Sequence, residues 1–412
     1  MRRKPLNSVA RPRLSKYARP LAQIALLLAE AGSRNERRYW KRRLYAALAP
    51  LLVGRSDAPL THTLDHLYDS NGAAYDSLAS AIETCVESPC IKDGQELLLI
   101  AAPVLAWSNY SIACGRIDTK TVQDLQATLE QHVLAEHVQL VLGDFLFSPD
   151  YLPESYIAAA QLSRELAGAL LNKESITLAI ETLPDMPHFL SDVRYLIGAI
   201  AVPEGLPMFK WQEETQVGAL SMSREDVLAS WKVHGGPQMQ KLMPGCALEM
   251  LLPNGLYSAC RNAESEARSY SVRASIAFIS AALNITPAQI HVSVGCFVDH
   301  GEIEEYRLGF SLKNSSDVLH GIVWPLLGDE YGNEPDPVYG DDIADTAELP
   351  TMRAKIQGLL KELGVHKIIM LDERFPLEYC EDCGAPVYPN AEGELMHAEL
   401  PEDADIQDIQ LH

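Results

Sequence analysis

The chain has 412 residues, 47% of them hydrophobic and 22% charged, with a formal net charge of −22. These values exclude wholesale disorder and a membrane-embedded class, and the length suits two or three packed units better than one core. The longest apolar run, residues 21–31, is broken by Gln23 and Glu30 and falls well short of the roughly 20 apolar residues of a spanning helix.

The charge is strongly segregated. Residues 1–43 hold thirteen Lys/Arg against two acids, which leaves 21 bases and 54 acids for the rest. Residues 1–20, with Pro5, Pro12 and Pro20, read as a basic irregular arm. One reading gives this arm an anionic partner such as RNA, because Lys and Arg neutralise phosphates by releasing counterions. The other has it fold onto the protein's own acidic surface, or onto that of a second copy in a homodimer. An acid-free start followed by an apolar stretch is reminiscent of an export signal. Arg34, Arg37, Arg38, Lys41, Arg42 and Arg43 follow directly, however, and positive charge there opposes translocation, so a cytoplasmic protein without membrane contact is expected.

Residues 21–92 read as a helical region. Leu44, Leu48, Leu51 and Leu52 form an apolar edge, and 60–85 continues in helix with Leu64, Leu67, Leu78 and Ile82 apolar. The period then changes. Residues 96–107 form a continuous apolar run typical of a strand buried on both faces. A helix capped by Thr121, a strand over 138–144, a helix over 155–171 and a strand over 193–202 complete a first α/β unit, 93–210.

A second unit, 211–375, repeats this logic. It has a strand over 246–252 and a helix carrying Val272, Ile276, Ile279 and Leu283. A hairpin over 290–312 turns at Asp299-His300-Gly301, and a buried strand spans 318–327. A Thr351-capped helix ends at Gly364, and the last strand covers 365–371. Between the 318–327 strand and the Thr351-capped helix lies an acidic loop, 328–350, with eight acids and no base over 329–348. A constant shift of 227 places Leu129, Val133, Val138 and Pro149 on Ile356, Leu360, Val365 and Pro376, which suggests a duplicated β-α-β unit.

The most specific chemical signature lies in the final segment, 376–412. Cys380-Glu-Asp-Cys383-Gly384 is a C-x-x-C knuckle, in which two thiolates converge and the glycine supplies a positive φ. His397, 14 residues after Cys383 and beyond Gly393, is the natural third ligand of a zinc-ribbon-like site. Glu399, a distant cysteine or a second chain's knuckle could supply a fourth. A metal-free remnant and a redox dithiol are the alternatives. Glu381 and Asp382 disfavour the redox reading, because they oppose thiolate formation.

Elsewhere the signals are bland. No G-x-S-x-G elbow, phosphate loop, H-E-x-x-H or dinucleotide fingerprint occurs, so neither catalytic residues nor a cofactor-binding motif can be assigned. His234-Gly-Gly-Pro237 reads as a loop between helices, Asp65, His66 and Asp69 as a solvated helix end, and Cys85 and Cys90 as core packing. Asp299, His300, Glu302, Glu304 and Glu305 gather in one accessible turn.

Four segments carry a resemblance: Gly-Ser-Arg-Asn-Glu-Arg-Arg-Tyr-Trp at 32–40, Ala-Pro-Val-Leu-Ala-Trp at 102–107, Gly-Asp-Phe-Leu-Phe-Ser-Pro at 143–149, and Cys-Glu-Asp-Cys-Gly-Ala-Pro at 380–386 with His-Ala-Glu-Leu-Pro at 397–401. Together they resemble an uncharacterised, mainly β-proteobacterial family of unknown function over the full length. The resemblance implies no activity. The expectation is therefore an α/β protein with a helical N-terminal region, two α/β units and a small zinc-ribbon-like knuckle. It would serve as a non-enzymatic binding or regulatory protein with zinc as a structural staple. The alternative is an enzyme with a cleft between the two units and the acidic loop as lid.

Overall fold

The computed structural model describes residues 15–68, 70–89, 94–108, 111–181, 191–214, 222–299, 302–313, 315, 317–330, 351–381 and 383–400. Residues 1–14 of the basic arm, Asp69, Cys90, His300, residues 331–350 of the acidic loop, Asp382 and the tail beyond Leu400 lie outside them.

The chain enters through four helices, α1 (Ala18–Glu30), α2 (Arg34–Leu52), α3 (Ala58–Tyr68) and α4 (Gly72–Glu87). Helix α1 starts inside the stretch expected to be irregular. Pro20 sits in its first turn, where the missing N–H has no intrahelical partner to lose. Helix α2 opens with a reciprocal cap: Ser33 accepts from the Glu36 N–H, and the Glu36 carboxylate accepts from the Gly32 N–H. The apolar stretch 60–85 is two helices, because the Asn71 side chain accepts from the Ala74 N–H and starts α4 anew.

These helices cover one face of a six-stranded sheet. Its strands are β1 (Gln95–Trp107), β2 (Gly115–Arg116), β3 (Gln139–Phe147), β4 (Ser191–Pro203), β5 (Ala247–Met250) and β6 (Asn254–Gly255). The order is β2-β3-β4-β1-β5, with β6 also on β1, and every pairing is antiparallel. Three helices complete the unit: α5 (Thr119–His132), α6 (Tyr156–Asn172) and α7 (Arg224–Leu242). Strand β1 sends Leu97, Leu99, Ala101 and Leu105 into the core shared with α1–α4 and α6. It sends Ile100, Ala102, Val104 and Ala106 into the core shared with α5 and α7. Burial on both faces is why its sequence shows no alternation.

Two local expectations are corrected. The cap of α5 is Asp118, whose carboxylate accepts from both the N–H and the hydroxyl of Thr121, so the helix begins two residues earlier than Thr121. His234-Gly-Gly-Pro237 is no loop but lies within α7. Gly235 is needed there because a Cβ would fall 2.2 Å from the Trp231 ring, which is fully buried beneath it. Tertiary packing overrides the helix-breaking composition.

The 27-residue helix α8 (Leu256–Ala282) ties the two sheets together. Its first half (Leu256, Ala259, Ala263) packs into the first unit, and its second half (Val272, Ile276, Phe278, Ile279) under the second sheet. The Glu87 carboxylate accepts from the Tyr257 N–H at the start of α8. Burial beside this helix end pushes its pKa up to about 7, against that hydrogen bond.

The second sheet runs β10-β7-β8-β9, from β7 (Ile290–Asp299), β8 (Glu302–Leu312), β9 (His320–Pro325) and, after α9 (Met352–Glu362), β10 (Lys367–Pro376). Strand β10 is parallel to β7, and the other pairs are antiparallel. In both units a helix joins two strands of the same direction, with one strand between them in the first sheet and two in the second. One face of the second sheet (Val292, Val294, Tyr306, Leu308, Trp324) packs on α8 and α9. The short hairpin of β11 (Tyr388–Pro389) and β12 (Leu395–Met396) crosses the other face.

Candidate metal centre

The knuckle that precedes this hairpin is held by backbone hydrogen bonds. The Cys380 N–H donates to the Ala385 carbonyl at 2.7 Å, and the Gly384 N–H donates to the Cys380 carbonyl at 2.8 Å. Gly384 has φ +72°, the left-handed conformation expected of a glycine at this place. Across the turn, Tyr379 and Pro386 form an isolated antiparallel bridge. The hairpin then reverses around buried Asn390, whose side-chain oxygen accepts from the N–H groups of Glu392 and Glu394, while Gly393 takes φ +84°.

That reversal brings His397 back to the cysteines. Ligand atoms of Cys380, Cys383 and His397 all lie within 4.8 Å of one another, and the Cys383 Sγ is 3.3 Å from His397 Nε2. The other ring nitrogen, Nδ1, faces Glu399 Oε1 at 3.5 Å. A carboxylate behind a metal-binding histidine fixes the ring's orientation and tautomer, so the imidazole presents Nε2 to the two sulfurs. The three side chains could thus hold a metal ion. Two thiols and an imidazole form a soft donor set, and the group sits at the surface with Cys383 and His397 exposed. Glu399, read from sequence as a candidate fourth ligand, stands behind the histidine instead.

The knuckle is seated on the second sheet by a residue that motif reasoning missed. Arg307 on β8 is fully buried. Its Nη1 donates to the Glu378 carbonyl at 2.6 Å and to the Val387 carbonyl at 2.9 Å, and its Nε donates to Glu305 at 2.6 Å. It therefore grips the chain just before and just after the knuckle. The guanidinium lies 4.2 Å from the Phe297 ring centroid and 5.2 Å from that of Tyr379, next to Cys380.

Three glycines on the same face make room for the hairpin. A Cβ on Gly309 would fall 2.2 Å from the Pro389 carbonyl oxygen. One on Gly321 would fall 2.3 Å from the Tyr388 ring, and one on Gly295 would fall 3.1 Å from the Pro389 ring and 3.0 Å from Phe375 of β10. Gly309 and Gly321 are register partners on β8 and β9, so the trough runs across the strands. At the far end, the Glu399 N–H donates to the Val318 carbonyl.

Residues 6–411 match the model of a family described as "Protein of unknown function (DUF2863)". The chain belongs to this family. Neither the curated proteins nor the solved structures contain a match. Membership in DUF2863 bears out the full-length resemblance to a family of unknown function, and it assigns no chemistry.

The other sequence candidates do not converge on this centre. Glu305 is committed to Arg307, Asp299 lies at the end of β7, and His300 falls outside the described residues. A cavity of about 660 Å³ opens in the first unit between α5, β3 and residues 173–177. It is lined by Gln126, Leu140, Asp144 and Lys173 among others, and Asp299, Glu304 and Glu305 do not line it. Cys85 packs at the margin of the first core, as expected. Among the described residues, no helix is long and apolar enough to cross a membrane.

Proposed function

We propose that Cys380, Cys383 and His397 bind a zinc ion that acts as a structural clasp, and that this DUF2863 protein is a cytoplasmic, non-enzymatic binding or regulatory protein. The observation that carries the site is the convergence of three ligand atoms within 4.8 Å, two from the knuckle and one from the chain just after β12. Two thiolates and an imidazole are donors that zinc favours over hard-cation competitors. Bound there, the ion would cross-link the knuckle to the return strand of the hairpin and hold two otherwise short pieces of chain together. The exposed side of the set leaves a fourth position for water or a group from another chain.

Metal analysis of the purified full-length protein tests this reading. Close to one zinc per chain is expected in the parent, with less than a tenth of that in a Cys380→Ser, Cys383→Ser double variant. A parent that carries no metal after purification with zinc in the medium would remove the site.

A further inference from the structure

A second feature, independent of the metal centre, is the outer face of α2. This helix carries Arg34, Arg37, Arg38, Lys41, Arg42 and Arg43, and all six are exposed. Its inward stripe, Leu44, Leu48 and Leu52, is buried against the first core. Arg38, Tyr39, Arg42 and Arg43 stand three and four positions apart on the side away from that stripe. None of the six cations forms an ion pair with a described acid, and the helix's one acid, Glu36, is engaged by the Gly32 N–H. The reading in which these bases meet the protein's own acidic surface is thus not realised by α2 within the described fold.

Tyr39 lies in the middle of these arginines and is 54% exposed. Its ring is propped edge-on by Trp40, at 4.9 Å and 76°, and Trp40 in turn packs on the core. An open aromatic ring held rigidly among guanidinium groups offers a base a stacking platform while the arginines reach the flanking phosphates. We propose that this face of α2 binds the phosphodiester backbone of single-stranded nucleic acid, with Tyr39 stacking on an unpaired base.

Two physical arguments favour this occupant. An anionic membrane would need an apolar face to insert, and that of α2 is already consumed by the core. Residues 44–412, with 54 acids against 21 bases, repel polyanions and so confine contact to the basic N-terminal stretch of which this helix is the folded part.

Fluorescence anisotropy on the full-length protein tests it, using labelled 20-mers of oligo-U and oligo-dT and a duplex of equal length from 25 to 200 mM NaCl. The two single strands tell whether RNA or DNA is the source of the phosphodiester. With three phosphates neutralised, the log–log salt slope is expected near about −2. The Arg38→Gln, Arg42→Gln, Arg43→Gln variant should lose most of that slope and at least about tenfold in affinity. Tyr39→Ala should lose about tenfold for single strands and keep the slope. Helicity by circular dichroism and zinc content serve as folding controls, which these exposed positions should leave unchanged. No binding at 25 mM salt overturns the proposal, as does a triple variant that binds like the parent, or a duplex bound as tightly as the single strands. A triple variant that dissociates a parent dimer, with no nucleic-acid binding in either protein, makes the face an interface between copies and overturns it equally.

Discussion

Replacing Arg307 by methionine is expected to destabilise the protein by about 3–5 kcal/mol, because breaking a buried charged network leaves its partners uncompensated. The stem fits the space, so packing is largely preserved and the loss is electrostatic. Glu305, with 15% side-chain exposure, would face a low-dielectric environment without its cation. The carbonyls of Glu378 and Val387 would lose their donor at the point where the knuckle leaves and rejoins the sheet. Urea unfolding followed by circular dichroism measures the loss. Arg307→Lys should recover only part of it, since one ammonium cannot serve both carbonyls and Glu305 with the arginine's planar fork. A change below about 1 kcal/mol for the methionine variant would mean that Arg307 does not anchor the knuckle.

Gly309→Ala should unseat the hairpin. Its Cβ would sit 2.2 Å from a backbone carbonyl oxygen, at Pro389, and β8 cannot retreat because β7 and β9 flank it on both sides. The hairpin must lift instead, carrying His397 with it. Overpacking of this kind costs about 1–3 kcal/mol, and the release of zinc to a chelator should accelerate at least tenfold. Gly236→Ala is the matching control. Its Cβ would meet only the Met250 sulfur at 3.7 Å, within a helix, where alanine is favoured over glycine by about 1 kcal/mol. The two substitutions should therefore differ in sign. Equal and neutral effects would show that the glycine trough does not hold the hairpin.

The sequence announced the knuckle because its chemistry is local: two cysteines, a glycine with positive φ and a histidine at a spacing that a hairpin can close. Thr351 as a cap and the two-sided burial of β1 were legible for the same reason, since each rests on a short-range pattern. The grip on the knuckle was not legible. Arg307 lies 71 residues before Glu378 in the chain, and only the register of β8 in the second sheet brings the two together. The trough was equally hidden, because Gly295, Gly309 and Gly321 come from three strands and each alone looks like an ordinary strand glycine. Asn390, at the heart of the hairpin turn, carried a usable signal in Pro389-Asn390 followed by Gly393, a turn composition three residues from its glycine. His234-Gly-Gly-Pro237 misled because its composition speaks for a loop, whereas a fully buried Trp231 makes Gly235 a packing requirement of α7.

Charge segregation followed the same rule. The basic stretch was evident from counting residues. That its apolar edge is used up by the first core, leaving Arg38, Tyr39, Arg42 and Arg43 as an outward face with no ion pair among the described residues, emerges only once α1 to α4 are packed on the six-stranded sheet.

The proposed clasp is tested most directly by amide hydrogen exchange of the full-length protein, supplied with zinc and then treated with a chelator. Protection at Cys380, Gly384, Asn390 and Glu394, whose N–H groups make the knuckle and hairpin hydrogen bonds, should fall at least tenfold on removal, while β1, β3 and β4 of the first sheet keep theirs. Exchange at those four amides that is the same with and without metal would contradict a zinc clasp at Cys380, Cys383 and His397.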